Sequence, residues 1–521
     1  MFEGENKREK ILVLLTMCFA LFMAMLDNTV VNIALPTLSS DLNAGVSGLQ
    51  WIVDGYVLAF ASLLLTGGIL GDRYGRKRMF LLGLAGFTLA SLGCGLSNST
   101  GMLIAFRALQ GVGAALLMPG TLSILTVTFP PQERAKAIGI WAGVSGLALS
   151  LGPTLGGWLV DHVGWESIFF LNVPIGILGA FAAVRWVRES RAPHARQLDL
   201  GGLALGTAGL FSVTYGLIEA NQLGWSDPLI VGALAASVLM FGGFIWWERR
   251  TPHPMMPLQF FRIPAFSAGN GVSFAISLGM FGTFFFASLF MQVVRGYDAF
   301  QTGVRFLPLT LMILVAAPNA GRYASKHGSR LPMTFGLLLA GTGLLLLSRA
   351  DQGTSYAIMV PIFMMMGFGM ASVMAPMTAA VMNAVGPERA GLGSATTNTS
   401  REVGGTFGIA LLGTLLTTKL KSSLGGALAG LGLSGAQQSA IVENAGHLHL
   451  SGEALAGLTP AQQGAVAQAF AGSFIDGYQL ALMVGGFVVL VAAFVAWRFI
   501  PGSPPAHAVQ PQTEGEIVAA V

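Results

Sequence analysis

In a chain of 521 residues, 53% apolar and only 10% charged with a mean hydropathy of +0.68, too little charged surface exists to cover the apolar content, which excludes an ordinary water-soluble fold. The net charge of +4 is small for this length and gives no support to a nucleic-acid partner. Cys18 and Cys94, the two cysteines, each fall inside a predicted span and make no disulfide framework.

Roughly 20 apolar residues cross a bilayer. Fourteen such stretches are predicted, centred near residues 24, 59, 88, 115, 147, 177, 208, 238, 278, 313, 340, 369, 407 and 488, so the chain reads as an all-α polytopic membrane protein. The first, Ile11 to Leu38, follows Lys7-Arg8-Glu9-Lys10. It is longer than the apolar core of a cleavable leader, which predicts a retained helix. Asp27 is its only ionisable side chain. A carboxylate at that depth is costly when ionised and unpaired, which marks Asp27 for a proton or cation pathway. Its setting is Leu26-Asp27-Asn28-Thr29-Val30-Val31-Asn32-Ile33-Ala34-Leu35-Pro36.

In the second span Asp54 is either a pocket acid or an exposed residue at the helix start. The connection that follows reads Gly68-Ile69-Leu70-Gly71-Asp72-Arg73-Tyr74-Gly75-Arg76-Lys77-Arg78. Gly68 is expected to let helices approach closely and Gly75 to permit a tight turn. Asp72 can face the positive N-terminal end of a neighbouring helix, that of span 13, and latch one conformation. The plainer alternative is that these cations only anchor the loop. Span 4 carries Leu103-Ile104-Ala105-Phe106-Arg107-Ala108-Leu109-Gln110-Gly111-Val112-Gly113. At 1.5 Å per residue, Arg107 lies roughly 10 Å and Asp27 roughly 16 Å from the same membrane face, so the two depths overlap and a polar coupling is expected over outward snorkelling. Span 5 contains Gly152-Pro153-Thr154-Leu155-Gly156-Gly157, where small residues and a helix bend suit a sliding interface. Phe169-Phe170-Leu171-Asn172-Val173-Pro174-Ile175-Gly176 opens span 6. Span 13 holds Ser400-Arg401-Glu402-Val403-Gly404-Gly405. Glu402 is expected near mid-membrane, either as a binding acid or as a structural neighbour of Arg401.

Of 28 Lys and Arg, 21 fall in loops on one side, against Arg295, Arg305, Arg349, Lys419 and Lys421 on the other, with Arg107 and Arg401 in the membrane. The positive-inside rule then places both termini in the cytoplasm. Gly68, Asp72, Gly75 and Lys77 recur 253 residues later as Gly321, Ser325, Gly328 and Arg330, and Glu133-Arg134-Ala135 recurs at 255 as Glu388-Arg389-Ala390. Both echoes shift the span number by eight, which predicts two related six-helix halves with two helices inserted between them. The boundaries are residues 1–190, 191–250 and 251–521, the last with an external loop over 422–473 that is either amphipathic helix or irregular. Arg249 to Pro264 is expected to lie along the membrane interface.

Gly430 to Gly435 fits G-x-G-x-x-G but follows no strand, and neither a Walker A nor a G-x-S-x-G or H-E-x-x-H pattern is present. His447 and His449 stand without nearby thiols or carboxylates and predict no metal site. Met365, Met366 and Met370, and Phe284 to Phe286, are read as packing.

These strings together resemble the fourteen-helix drug:proton antiporters of the major facilitator superfamily. The first-span string resembles that family's helix 1 signature. The Gly68 to Lys77 string matches its G-x-L-x-D-R-x-G-R-K pattern with Gly71 where Ala is commoner, and Arg107 to Gly113 matches its l-x-x-x-R-x-x-q-G-x-g motif. Gly152, Pro153, Gly156 and Gly157 match the G-P-x-x-G-G motif of its antiporter branches, although the usual upstream Gly is Ala148. Trp165-Glu166-Ser167 departs from the residues usual before Phe169. Two parallel six-helix repeats are the arrangement described for this superfamily. The resemblance implies alternating access, proton coupling through Asp27, Arg107 and Glu402, and a substrate pocket drawing on Asp27, Asp54 and Glu402. It also implies a conformational latch at Gly68, Asp72, Arg73, Gly75, Arg76 and Lys77. A carboxylate beside the span 13 Arg occurs in members with cationic substrates. The expected partners are a small-molecule substrate, protons and the lipid bilayer of the cell membrane, with a monomeric chain, no cofactor beyond the proton gradient, and no enzyme activity. An uptake symporter or a metabolite exporter would share the fold.

Overall fold

The computed structural model describes residues 7–129, 131–191, 197–256, 258–385, 390–445 and 458–502, and these are helical almost throughout. A bilayer offers no partner for backbone N–H and C=O groups, so apolar segments of this length must satisfy them within a helix. The first six spans are α1 (Lys7–Asp41), α2 (Val46–Tyr74), α3 (Arg76–Gly95), α4 (Thr100–Thr128), α5 (Pro131–His162) and the broken pair α6 (Ser167–Phe170) and α7 (Asn172–Trp186). The inserted pair is α8 (Leu200–Leu223) and α9 (Pro228–Glu248). The remaining helices are α10 (Pro264–Leu289), α11 (Ala299–Arg305), α12 (Leu307–His327), α13 (Arg330–Leu347), α14 (Tyr356–Val385), α15 (Ala390–Leu428), α16 (Gly435–Asn444) and α17 (Pro460–Phe499). Thirteen segments among the described residues are long and apolar enough to cross a membrane, and α5, 32 residues packed along α1, completes a set of fourteen.

Helix pairing explains the repeat in the loops. In the first set α1 packs on α4, α5 and α7, α2 on α4, and α3 on α4 and α7. Replacing α1, α2, α3, α4, α5 and α7 by α10, α12, α13, α14, α15 and α17 converts each of these pairs into one that the second set also makes. The result is two six-helix bundles with α8 and α9 inserted. α9 leans on α8, and residues such as Val238 and Leu239 stay exposed where lipid would lie.

The bundles meet where α2 crosses α15, where α5 crosses α11 and α12, and where α1 touches α10. We call the face with the α2–α3 and α12–α13 turns the near face and the opposite one the far face. The cross-bundle hydrogen bonds among the described residues lie toward the far face. Ser288 Oγ donates to the Asn32 carbonyl at 2.7 Å and Gln292 Nε2 to the Ile33 carbonyl at 3.0 Å. Pro36 has no N–H to offer the carbonyl four residues back, which leaves the Asn32 oxygen free for Ser288. Gln50 Nε2 donates to the Ile409 carbonyl at 2.8 Å, and the Asp161 carboxylate at the end of α5 accepts from the Ala299 and Phe300 N–H groups at 3.2 and 2.6 Å. The far side is therefore shut.

Two expectations gain detail. Span 10 divides into α11 and α12 at Phe306, with Pro308 in the first turn after the break. The 422–473 segment is helical over most of its described length, because α15 runs on to Leu428, α16 follows, and α17 starts at Pro460. Capping boxes set both new starts: the Ser434 hydroxyl accepts from Gln437 N and the Thr459 hydroxyl from Gln462 N, and each Gln side chain accepts from the cap residue's own N–H. The Gly430 to Gly435 string is the turn between α15 and α16. Between Arg249 and Pro264 a short 3₁₀ turn, Leu258–Arg262, packs Phe260 against Phe266. Met366 and Met370 pack at the meeting of α10, α13, α14 and α17 beside Ile276, Leu344 and Val489. His447 and His449, and Glu388-Arg389 of the loop echo, lie outside the described residues.

Candidate functional site

A polar centre sits inside the first bundle, and the depth argument for Asp27 and Arg107 leads to it. Both side chains are 0% exposed, and Arg107 Nη1 donates to Asp27 Oδ2 at 2.6 Å. The other carboxylate oxygen, Oδ1, accepts from Gln110 Nε2 and from Asn172 Nδ2, each at 2.8 Å. Gln110 stands one helical turn after Arg107 and closes the triangle, its Oε1 accepting from Arg107 Nη1 at 2.7 Å. Asn172 arrives from α7, the first residue after the break that separates α6 from α7. Ser91 on α3 accepts from Asn172 at 2.9 Å and donates to the Phe169 carbonyl at 2.9 Å. Arg107 Nε donates to the Ile52 carbonyl at 3.1 Å, and its guanidinium lies 4.4 Å from the centre of the Tyr56 ring. Five helices thus converge on one carboxylate.

The chemistry of this centre is competitive. Asp27 accepts from three donors, as an acceptor-only ionised carboxylate does, and a proton on either oxygen would displace one of them. Removing one partner of a buried pair costs roughly 3–5 kcal/mol because the other charge is stranded. Arg107 Nη2 is buried without a partner, so the guanidinium keeps an open donor. Asp27 is closed off from solvent here.

Glu402 and Asp54 lie on the bundle seam. Glu402 is 3% exposed; its Oε1 accepts from Arg401 Nε and Nη2 at 3.1 and 2.9 Å, and its Oε2 is buried without a partner. The pairing of adjacent residues was not anticipated, and it arises because the long Arg401 side chain folds back along the helix. Asp54 is 0% exposed and neither of its oxygens has a partner, which removes the surface reading. It lies one turn from Gln50, the residue that reaches α15, and so shares the face of α2 turned toward the second bundle. A buried carboxylate in that state calls for a proton or a cation.

At Gly152 to Gly157, α5 is pressed from two sides. Side chains at Gly152 and Gly156 would run into Thr29 and Val30 of α1, while one at Gly157 would strike the backbone of Ala299 and Phe300 on α11. Gly303 returns the contact against the Pro153 carbonyl. The motif is therefore the place where the two bundles touch backbone to backbone.

The near-face loop departs from expectation in two respects. The close approach of α2 to α4 occurs at Gly67, where a side chain would collide with the Ala115 backbone, whereas Gly68 makes only ordinary contact with Pro119. Among the described residues Asp72 meets Arg76: Oδ1 accepts from Arg76 Nε and Nη2 at 2.9 and 2.8 Å. With the far side shut, the latch across the bundles is not made among the described residues. Gly75 has φ +120, a conformation L side chains avoid, and its missing side chain leaves room for the Glu189 carboxylate. That carboxylate accepts from Lys77 N and Arg78 N at 3.0 and 3.2 Å. Lys77 Nζ donates to the Val184 carbonyl at 2.9 Å, and Arg73 lies over the Tyr74 ring. Asp72→Asn is expected to slow conformational exchange by about tenfold, the effect of one charge-assisted hydrogen bond of roughly 1.5 kcal/mol, with substrate affinity nearly intact. Parallel binding and exchange measurements check this; a large loss of binding with normal exchange would contradict it.

Gln110 and Asn172 both lie in strings singled out from the sequence, but their role there was not read. Tyr56, Ser91 and Gln50 carried no sequence signal beyond polarity inside an apolar span.

The geometry agrees with what comparison with known proteins finds. A sequence profile described as Major Facilitator Superfamily matches residues 17–409. The tetracenomycin C resistance and export protein of Streptomyces glaucescens is 38% identical over 93% of this chain and 90% of its own length. The multidrug resistance protein Stp of Mycobacterium tuberculosis is 33% identical over 95% and 93%. The puromycin resistance protein pur8 of Streptomyces alboniger is 37% identical over 76% and 80%. Among solved structures, a bacterial homolog of the human lysosomal transporter Spinster, in an inward-facing and unoccupied conformation, superposes with a TM-score of 0.64 over 95% of this chain and 99% of that one, at 16% identity. That likeness concerns the fold alone.

Proposed function

Because the chain belongs to the Major Facilitator Superfamily, we propose that it is a proton-coupled antiporter that exports lipophilic, cationic compounds from the cell by alternating access. The observation that carries this reading is the Asp27–Arg107 pair, buried and 2.6 Å apart at membrane depth. A proton that neutralises Asp27 releases Arg107 from its counter-ion and loosens the helices gathered around the pair, so proton binding is coupled to their rearrangement. Export is supported by the names of the resistance relatives and by the Gly152 to Gly157 junction. The excess of Lys and Arg on the near face makes that face cytoplasmic, and the membrane is then the cell membrane. With the far side closed, the described state is not open to the outside. The energy source is the proton gradient, with no further cofactor, and the working unit is one chain.

Cation preference rests on Glu402 and Asp54, whose buried, unpartnered oxygens face the seam. A proton and a cationic substrate can each satisfy such an acid, so the two compete and cation binding is expected to weaken as the proton concentration rises. Glu402→Gln should weaken binding of lipophilic cations by about tenfold, the scale of one charge-assisted contact, and flatten the pH dependence, while neutral compounds bind as before. A panel of cationic and neutral antibiotics and dyes, assayed for binding and for proton release from purified protein, tests the proposal. Equal losses for both classes would assign Glu402 to the helix and not to the pocket.

A further inference from the structure

The inserted helix α8 carries a single Asp, Glu, Lys or Arg, the residue Glu219, close to its far end. Its Oε1 accepts from Ser47 Oγ and from Trp51 Nε1, both at 2.8 Å, and both donors belong to α2 in the first bundle. Phe211, Tyr215 and Glu219 recur at every fourth position and form one face of α8. Trp51 packs on two of them, with ring centres 5.7 Å from Phe211 and 6.4 Å from Tyr215.

The same helix also touches the second bundle, but by a different kind of contact. Thr414 Oγ1 on α15 donates to the Leu217 carbonyl at 2.7 Å and, at 2.9 Å, to the Ala410 carbonyl of its own helix. α8 thus bridges the α2–α15 seam beside the Gln50 to Ile409 bond that closes it.

Outward opening must part that seam, and α8 can then follow only one side. Leaving α15 strands nothing, because Thr414 keeps Ala410 as its acceptor. Leaving α2 breaks both hydrogen bonds to the half-buried Glu219 carboxylate and parts the Trp51 ring from Phe211 and Tyr215, which is the costlier choice. We infer that α8 is a shutter fixed to α2 by Glu219: it travels with the first bundle, slides off Thr414, and keeps the opened seam covered against the outer leaflet. Glu219 is the positioning residue, and the inserted pair gains a role in keeping a lipophilic substrate out of the neighbouring lipid as it leaves.

The inference rests on alternating access, so its test reads both. With Cys18 and Cys94 replaced by Ser, spin labels go in pairs on the exposed positions Asn98 (first bundle), Leu223 (end of α8) and Ser422 (α15) in the full-length protein in lipid nanodiscs. Distances are measured by double electron–electron resonance in acidic and alkaline buffer. The 98–422 distance should change, the 223–98 distance should stay single and fixed, and the 223–422 distance should follow 98–422. Glu219→Ala should lose the single 223–98 distance, while Glu219→Gln, which keeps an acceptor for Ser47 and Trp51, should restore it. A 223–98 distance that shifts while 223–422 stays fixed overturns the shutter, as does a Glu219→Ala variant with an unaltered 223–98 distance. An unchanging 98–422 distance overturns alternating access itself, and the shutter with it.

Discussion

Asp27→Asn is expected to abolish substrate-driven proton release and coupled export while the protein still reaches the membrane. The amide can satisfy some of the donors that now meet Asp27, but it carries no charge and takes up no proton in the working range. Arg107, fully buried, would then keep its charge without a counter-ion. Breaking a pair of this type costs roughly 3–5 kcal/mol, so thermal stability should also fall. A second variant separates the two consequences. Asp27→Asn combined with Arg107→Gln removes both charges and should regain much of the stability but none of the proton release. Proton release and efflux in Asp27→Asn at the level of the parent would remove Asp27 from the coupling mechanism.

The next largest effect is expected at the α5–α11 junction. A leucine at Gly157 cannot fit against the backbone of Ala299 and Phe300, and the obstacle is main chain, which cannot turn aside as a flexible side chain would. Closure of the far side therefore fails, and the population moves to states with that side open. Overpacking of this kind costs about 1–3 kcal/mol, enough to shift a conformational ratio by roughly tenfold or more. Transport should drop accordingly. A cysteine reagent confined to the far side should label a probe at Thr154, now half-buried near the junction, faster in Gly157→Leu than in the parent. Equal labelling in the two proteins would mean that the junction does not govern closure.

The lineup of spans and the acid of the first helix were legible because burial in lipid leaves a coarse signal: length, apolarity, and the rarity of charge. Depth along a helix could be counted, and the Asp27–Arg107 pair followed from it. Direction around a helix could not, so Gln110 and Asn172 went unassigned although both lay in strings of interest. Asn172 in particular reaches Asp27 because the chain breaks between α6 and α7, where Pro174 has no N–H for the Phe170 carbonyl four residues back. Other gaps were avoidable. Glu219 is the lone carboxylate of a span that carries no Lys or Arg, which is the same signal that identified Asp27. The capping boxes at Ser434 and Thr459 marked helix starts in a segment that composition alone left open. Asp72 and Arg76, four apart, had a local partnership within reach of simple helical spacing.

The central claim is that substrate and protons move in opposite directions through one chain. It is tested most directly in sealed inside-out vesicles containing the protein, with a lipophilic fluorescent cation outside and an acid-inside pH gradient imposed. The account predicts that the cation accumulates in the vesicles, that each increment of uptake is matched by loss of protons from the lumen, and that both stop with Asp27→Asn. Cation and protons moving in the same direction, or uptake indifferent to collapse of the gradient, would contradict it.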